Sequence, residues 1–272
     1  MVKKKRNILV GTSGYSYQDW KGPFYPADVK DRDMLAFYTR RFAAVEINFT
    51  YYRLPAARTM AAIARKAPRL SYAVKLTGDI THEGKLTEEL AGDYRRGVEP
   101  MAEAGVLGCL LAQFPWRFKY TPAAMEFLKK IAEYLGDLSV VAEFRNDSWV
   151  NDDAFERLSE MKVGFCNVDE PGLKGLLPAT AAATSDVGYF RFHGRNAKKW
   201  WRHEQAAERY DYLYPRQELE EWLPRIKEVA AKAKKTYVFM NNHPLGQAVT
   251  NAEMMMDLLG VALEPPGDAA LF

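Results

Sequence analysis

Eight short, near-continuous apolar runs recur along the chain, with stretches of helical periodicity between most of them. The runs are ILVGTSG (8–14), AAVEINF (43–49), SYAVKL (71–76), LGCLLAQF (107–114), LSVVAEF (138–144), VGFCNVD (163–169), VGYFRFHG (187–194) and KTYVFMNN (235–242). Runs of this length and composition suit strands buried on both faces, as in parallel sheets covered by helices. Helical patterns occupy 33–41, 87–104, 122–135, 152–161, 218–233 and 248–259. Thr121-Pro122 and Asn151-Asp152-Asp153 carry helix-start chemistry, with cap oxygens, a proline where the first turn tolerates it, and early negative charge. Residues 169–186 read as loop. No linker rich in Ser, Gly or Pro interrupts the alternation. The pattern predicts an α/β fold, a single (β/α)8 barrel of the TIM type, with one domain over 1–272 and a core from about 8 to 259. An open doubly wound sheet is the competing topology.

The balance of 38 basic against 35 acidic residues leaves a formal charge of +3, too small and dispersed to demand a nucleic-acid partner. Cys109 and Cys166 sit in apolar runs and read as buried thiols of a reducing compartment. The basic start MVKKKRNILVG has too short an apolar stretch for a signal peptide. No segment approaches the roughly 20 apolar residues of a membrane span. A cytoplasmic protein without a membrane partner is expected.

In a parallel barrel, chemistry gathers at the C-terminal strand ends. Here those ends carry Glu46 and Asn48, Lys75, Gln113, Glu143 and Arg145, Asn167 and Asp169, Arg191 and His193, then Asn241, Asn242 and His243. Glu46/Asn48, Glu143/Arg145, Asn167/Asp169 and Arg191/His193 are i, i+2 pairs, so each pair shares one strand face. The expectation is a polar ring at the barrel mouth, with Ile47, Phe144, Val168 and Phe192 turned to the helices. A purely structural alternative is a self-neutralising plug of Glu46, Glu143, Lys75, Arg145 and Arg191. The loop after the first run, with Tyr15, Trp20 and Tyr25, supplies rings for a stacking wall or for rim packing. His82 lies on the loop after the third run. The stretch 194–216, with Arg195, Trp200, Trp201 and three tyrosines, is long enough to be a lid.

Known catalytic signatures are sparse. The His, Glu and Asp inventory lacks HxH, HExxH or CxxC spacing, so no metal and no cofactor is expected; a bound ion would fall to Glu143, Asp169 and His193. Glycosidases need two facing carboxyl groups, and Glu46 and Glu143 stand on strands well apart. No GxSxG elbow or phosphate-binding glycine fingerprint occurs.

The segments GTSGYSYQDWKGPFYP, VEINFTYYRLP, AVKLTGDITHEGKL, LLAQFPWRF, AEFRNDSW, FRFHGR and MNNHPLGQAVTNA follow one another in an order that resembles the YecE-like, or DUF72, family. The resemblance runs from about Ile8 to Leu259. It implies a TIM-type barrel without an established activity, and it maps family positions onto Glu46, Asn48, Lys75, His82, Gln113, Glu143, Arg145, Asp169, Arg191, His193, Arg195, Asn241 and Asn242. Tyr15 and Met240 depart from the usual aromatic residues without removing an ionisable group.

The leading expectation is an enzyme of hydrolase or isomerase/lyase type whose mouth binds an anionic small molecule, of sugar-phosphate or nucleotide class. Lys75, Arg145, Arg191 and Arg195 would contact the anion. Glu46 or Glu143 would serve as base and His193 or His82 as acid, with Asp169 beside them. Asn48, Gln113, Asn241 and Asn242 would orient hydroxyls, and Tyr15, Trp20 and Tyr25 would wall the site. A nucleic-acid-binding or metal-dependent phosphodiester-processing protein is the rival, and a non-catalytic ligand-binding barrel the third reading.

Overall fold

A computed structural model describes residues 7–135 and 137–261. Eight strands close into a barrel in sequence order: β1 (Ile8–Ser13), β2 (Ala44–Ile47), β3 (Ser71–Lys75), β4 (Leu107–Gln113), β5 (Val140–Glu143), β6 (Gly164–Asp169), β7 (Val187–Phe192) and β8 (Lys235–Met240). Every neighbouring pair is parallel, and β1 closes on β8 with Val10 opposite Val238. The expected TIM-type barrel is therefore what the chain forms.

Ten helices accompany the strands among the described residues: α1 (Asp31–Tyr38), α2 (Ala57–Lys66), α3 (Gly78–Thr81), α4 (Glu88–Glu103), α5 (Pro122–Leu135), α6 (Asp152–Glu160), α7 (Ala197–Trp200), α8 (Arg216–Glu220), α9 (Leu223–Lys232) and α10 (Gln247–Leu259). The start signals act as written: Thr121 Oγ1 accepts from Ala124 N at 3.1 Å, and Asn151 Oδ1 from Ala154 N at 2.8 Å. The sequence reading missed α2, whose N-cap, Ala56, offers no side-chain oxygen. The helix expected over 218–233 divides in two, with Trp222 and Pro224 at the junction. None of the described helices is long and apolar enough to cross a membrane.

The connection from β6 to β7 has no helix. Asn167 holds an extended segment in its place: its Oδ1 accepts from Thr180 Oγ1 at 2.7 Å and Ala182 N at 2.8 Å, and its Nδ2 donates to Ala182 O at 3.0 Å. A single side-chain amide thus imitates a strand partner, satisfying backbone groups that would otherwise be buried unpaired.

Register sets which residues enter the barrel. Val168 stands opposite Arg191, while Asn167 and Asp169 stand opposite Phe190 and Phe192. Residues level on adjacent strands share a face. Arg191 points inward and Phe192 packs outward on Trp222, so Val168 faces in and the pair Asn167/Asp169 faces out. This corrects the expected orientation of the sixth strand. The outward faces of β4 and β5 carry Phe114 and Phe144, stacked with Phe118 and Trp149; Phe144 and Trp149 lie 3.7 Å apart. Lower in the barrel, Tyr189, Tyr237 and Phe239 fill the interior.

Close approach leaves no space at Gly97 on α4, where an added Cβ would stand 2.1 Å from the carbonyl oxygen of Pro55. Backbone cannot swing aside as a side chain can. Gly97→Ala is expected to cost about 1–3 kcal/mol, the range of overpacking, read as a lower urea midpoint at unchanged m-value.

Candidate functional site at the barrel mouth

A continuous ion-pair network lies under the C-terminal mouth. Arg191, from β7, donates to Glu143 Oε2 at 2.5 Å, to Glu46 Oε1 at 2.7 Å and to Ser13 Oγ at 3.2 Å. Tyr189 donates its hydroxyl to the other oxygen of Glu46 at 2.7 Å. Arg145, two residues beyond Glu143, lies 2.7 Å from Glu143 Oε1 and donates to Glu170 Oε2 at 3.1 Å. Strands β1, β2, β5 and β7 supply this layer, with Glu170 joining it from the residue that follows β6. Burying so many charges is tolerable only because nearly every one is matched.

Above the network opens a cavity of about 470 Å³, within the size range of small-molecule sites. Lys75 reaches it from β3, donating to Gln113 Oε1 at 2.9 Å, with its ammonium 4.6 Å from the centre of the Tyr51 ring. Asn48, Arg145, Arg191, Asn241 and Tyr210 also line it. Asn48 Oδ1, Arg145 Nε and Arg191 Nε are buried without a hydrogen-bond partner. Tyr17 stacks on His243 at 4.7 Å and closes one side.

The charge states follow from burial and neighbours. Burial, with Arg191 and Arg145 nearby, lowers Lys75 to about 8 against the pull of Glu143 and Glu46. Burial pushes the Glu143 carboxyl up, but Arg145, Arg191 and His193 outweigh it and hold it well below the usual carboxylate range. Burial raises Glu170 to about 7, despite Arg145 and the Leu177 N–H. His193 is lowered to about 3 by burial and Arg145, and His82 to about 4 by burial, Lys75 and Arg117. Both imidazoles are therefore neutral near pH 7. Asn241 Nδ2 lies 2.9 Å from His193 Nδ1, leaving the proton on Nε2, which stands 3.2 Å from Glu143 Oε1 and off the axis of a good hydrogen bond.

A pH dependence follows. Between their folded values and about 6.5, the two imidazoles bind protons only when the chain unfolds, so they cost stability as pH falls through that window. Glu170 acts oppositely from about 7 down to 4.5, since the folded protein takes up its proton first. Between pH 6.5 and 5 His193 and Glu170 each exchange about one proton with opposite sign and nearly cancel, so His82, discounted for solvent screening, leaves the net sign. Stability is expected to fall from pH 6.5 towards 5 by no more than about 1.4 kcal/mol per pH unit. Urea titrations at stepped pH check this, and His193→Gln should reverse the slope.

The candidate residues separate into groups. Glu46, Asn48, Lys75, Gln113, Glu143, Arg145, Arg191, His193 and Asn241 converge at the mouth, and Tyr15 lines it. His82 lies to one side, in an adjoining chamber. Asp169 is not with them. It faces outward, accepting from Arg195 at 2.7 Å, Tyr214 at 2.6 Å and Trp222 at 2.7 Å. Arg195 belongs to this second cluster, along with Glu218 and Glu221. Asn242 points outward as well, donating to Tyr212 O and Asn251 Oδ1. Trp20 and Tyr25 are core: Trp20 donates to His243 O, and the Tyr25 hydroxyl to Tyr15 O. The metal set Glu143, Asp169 and His193 is consequently not assembled, and among the described residues no three potential His, Cys, Asp or Glu ligands gather.

Glu170 was missed because it follows the assumed end of the sixth run and shares the inward parity of Val168. Tyr51, at the end of a short 3-10 turn after β2, was missed as well, since no periodicity marks it. The stretch after β7 does lie over the mouth, with Trp200 near Arg145 and Tyr210 near His193.

The family model described as "Protein of unknown function DUF72" matches residues 9–270. The UPF0759 protein YunF of Bacillus subtilis (strain 168) is 29% identical over 273 residues, spanning 93% of this chain and 95% of that protein. A DUF72 family protein from Thermotoga maritima MSB8 superposes with a TM-score of 0.86 at 40% identity, over 93% of this chain and 99% of its own. One from Enterococcus faecalis V583 gives a TM-score of 0.84 at 26% identity, over 94% and 97%. With the family model spanning nearly the whole chain and a family fold superposing along its length, this protein belongs to the DUF72 family.

Proposed function

We propose that the mouth is the active site of an enzyme acting on an anionic small molecule that carries a ring, of the nucleotide or sugar-phosphate class. The observation that carries this reading is the arrangement of charge: Lys75, without an ion-pair partner among the described residues, and Arg145 line an aromatic-walled cavity, while the acidic partners of Arg145 sit behind it. With Glu170 partly protonated near neutrality, three cations face little more than two carboxylates, and one anionic group would complete the balance. The guanidinium of Arg145 suits phosphate oxygens, and Lys75 adds a movable point charge.

The acid–base assignment changes with the geometry. Both carboxylates expected as bases are engaged by Arg191, and both histidines are neutral. Lys75, titrating near 8 at the cavity wall, is the group best placed to exchange a proton with a bound substrate. Asn48 and Asn241 would orient hydroxyls. No cofactor is needed for this scheme.

The test is calorimetric titration with adenosine monophosphate and fructose 6-phosphate, using adenosine and fructose as uncharged controls. The phosphates should bind at least about tenfold more tightly, as expected when a buried ion pair is worth 1.4 kcal/mol or more. Equal binding of charged and neutral forms, or none, would leave the network as a structural plug.

A further inference from the structure

The cations at the mouth stand between two chambers. Beside the first cavity lies a second, of about 320 Å³, and the two share Tyr51, Tyr52, Lys75, Gln113, Arg145 and Tyr210 in their walls. The positive charge is therefore at the waist of a longer groove. Each chamber alone reaches the lower range of small-molecule sites.

Each chamber also has its own aromatic surface. On one side is the stacked pair Tyr17 and His243. On the other, Trp116 and Trp201 meet edge to face at 5.9 Å and remain 39% and 55% exposed. Trp116 is held in place, since its indole N–H donates to Gly175 O at 2.8 Å, and Lys119 lies 5.4 Å from its ring centre. Trp116, anchored at the rim, and Trp201 packed edge to face against it are both left open to water, a surface suited to a flat ligand. At the waist, the buried Nε of Arg145 has no partner.

A phosphate at the end of a molecule would engage the cations and fill one chamber only. Resting on the anionic mouth described above, we propose that the ligand carries its anion internally, as a diphosphate or phosphodiester linkage seated on Lys75 and Arg145. A ring-bearing group then lies in each chamber, one against Tyr17 and His243 and the other against Trp116 and Trp201. The class is a free dinucleotide-like molecule. The groove gives this class two stacking surfaces, where a mononucleotide uses one.

The experiment compares adenosine monophosphate with P1,P2-di(adenosine-5′) diphosphate by calorimetry at fixed ionic strength. The second adenine should tighten binding about tenfold, the lower end of a base–aromatic stack. In the double variant Trp116→Ala/Trp201→Ala that advantage should shrink to about twofold or less, and Trp116→Phe/Trp201→Phe should restore most of it. Equal affinities in the wild type, or an advantage that survives loss of both indoles, would overturn the proposal while leaving the anionic mouth intact. A short oligothymidylate binding more tightly than either probe, with steep salt dependence, would overturn it in favour of an extended strand. If neither adenine phosphate binds, the reading of the mouth falls and this inference with it.

Discussion

Arg191→Met should destabilise the protein by about 3–5 kcal/mol, the cost of breaking a buried ion pair from one side. Arg191 is the only group joining Glu46 to Glu143 within the described network, and its two terminal nitrogens reach both at 2.7 and 2.5 Å. Methionine can occupy much of the same volume, so a cavity would account for little of the loss. The larger part comes from two carboxylates left facing each other in a closed interior, with Arg145 able to serve only Glu143. The urea midpoint should fall at nearly unchanged m-value. Adding Glu46→Gln should recover part of the loss, because it removes one of the stranded charges; non-additivity of that sign identifies the pair as coupled. A change under about 1 kcal/mol, the scale of an exposed pair, would mean that water reaches this layer and that the interior is not closed.

Lys75→Met should act in the opposite direction on stability and far more strongly on binding. The ammonium is held among cations, and burial already disfavours its charged form. Removing it costs the hydrogen bond to Gln113, the contact with the Tyr51 ring and the pull of Glu143 and Glu46, but relieves the larger desolvation and the repulsion from Arg191 and Arg145. The melting temperature should stay level or rise. Affinity for a phosphate-bearing ligand should fall about 10- to 100-fold, since a hydrogen bond to a charged group is worth roughly 1.5–3 kcal/mol. Stability gained while binding is lost is the signature of a residue kept for function. Parallel loss of both would place Lys75 with the structural plug instead.

These two expectations separate the halves of the mouth. The layer of Glu46, Arg191 and Glu143 is closed and internally matched, so it supports the floor. The layer above it, with Lys75, Gln113, Asn48 and the outer side of Arg145, keeps unfilled hydrogen-bonding capacity.

The barrel was legible because it depends on periodicity and order. A run such as LGCLLAQF suits a strand buried on both faces of a layered α/β fold, and eight of these separated by helical stretches leave few arrangements. The same local logic explains the good helix starts at Pro122 and Asp152, and the omission of α2, which begins without a capping side chain.

Facing was harder to read. Along VGFCNVDE both parities offer polar residues, Asn167 and Asp169 in one and Glu170 in the other. Charge favours the first choice locally, yet the barrel takes the second, because Asp169 finds Tyr214, Trp222 and Arg195 outside and Glu170 finds Arg145 inside. Those partners lie 25 to 53 positions away along the chain. Trp20 and Tyr25 misled for the same reason: a loop rich in rings reads equally as a binding wall or as packing, and their surroundings come from α1 and the turn after β8.

What the chain determined alone was its strand count, their order, and the end of the barrel where charge collects, since local hydrophobic pattern and strand polarity are enough for these. Tertiary structure decided which charges cancel, which side chains turn outward, and that Lys75 and Arg145 remain facing open space. Those outcomes depend on register and on contacts between distant strands, and an interaction falling off over a few ångströms cannot be inferred from positions separated by a hundred residues.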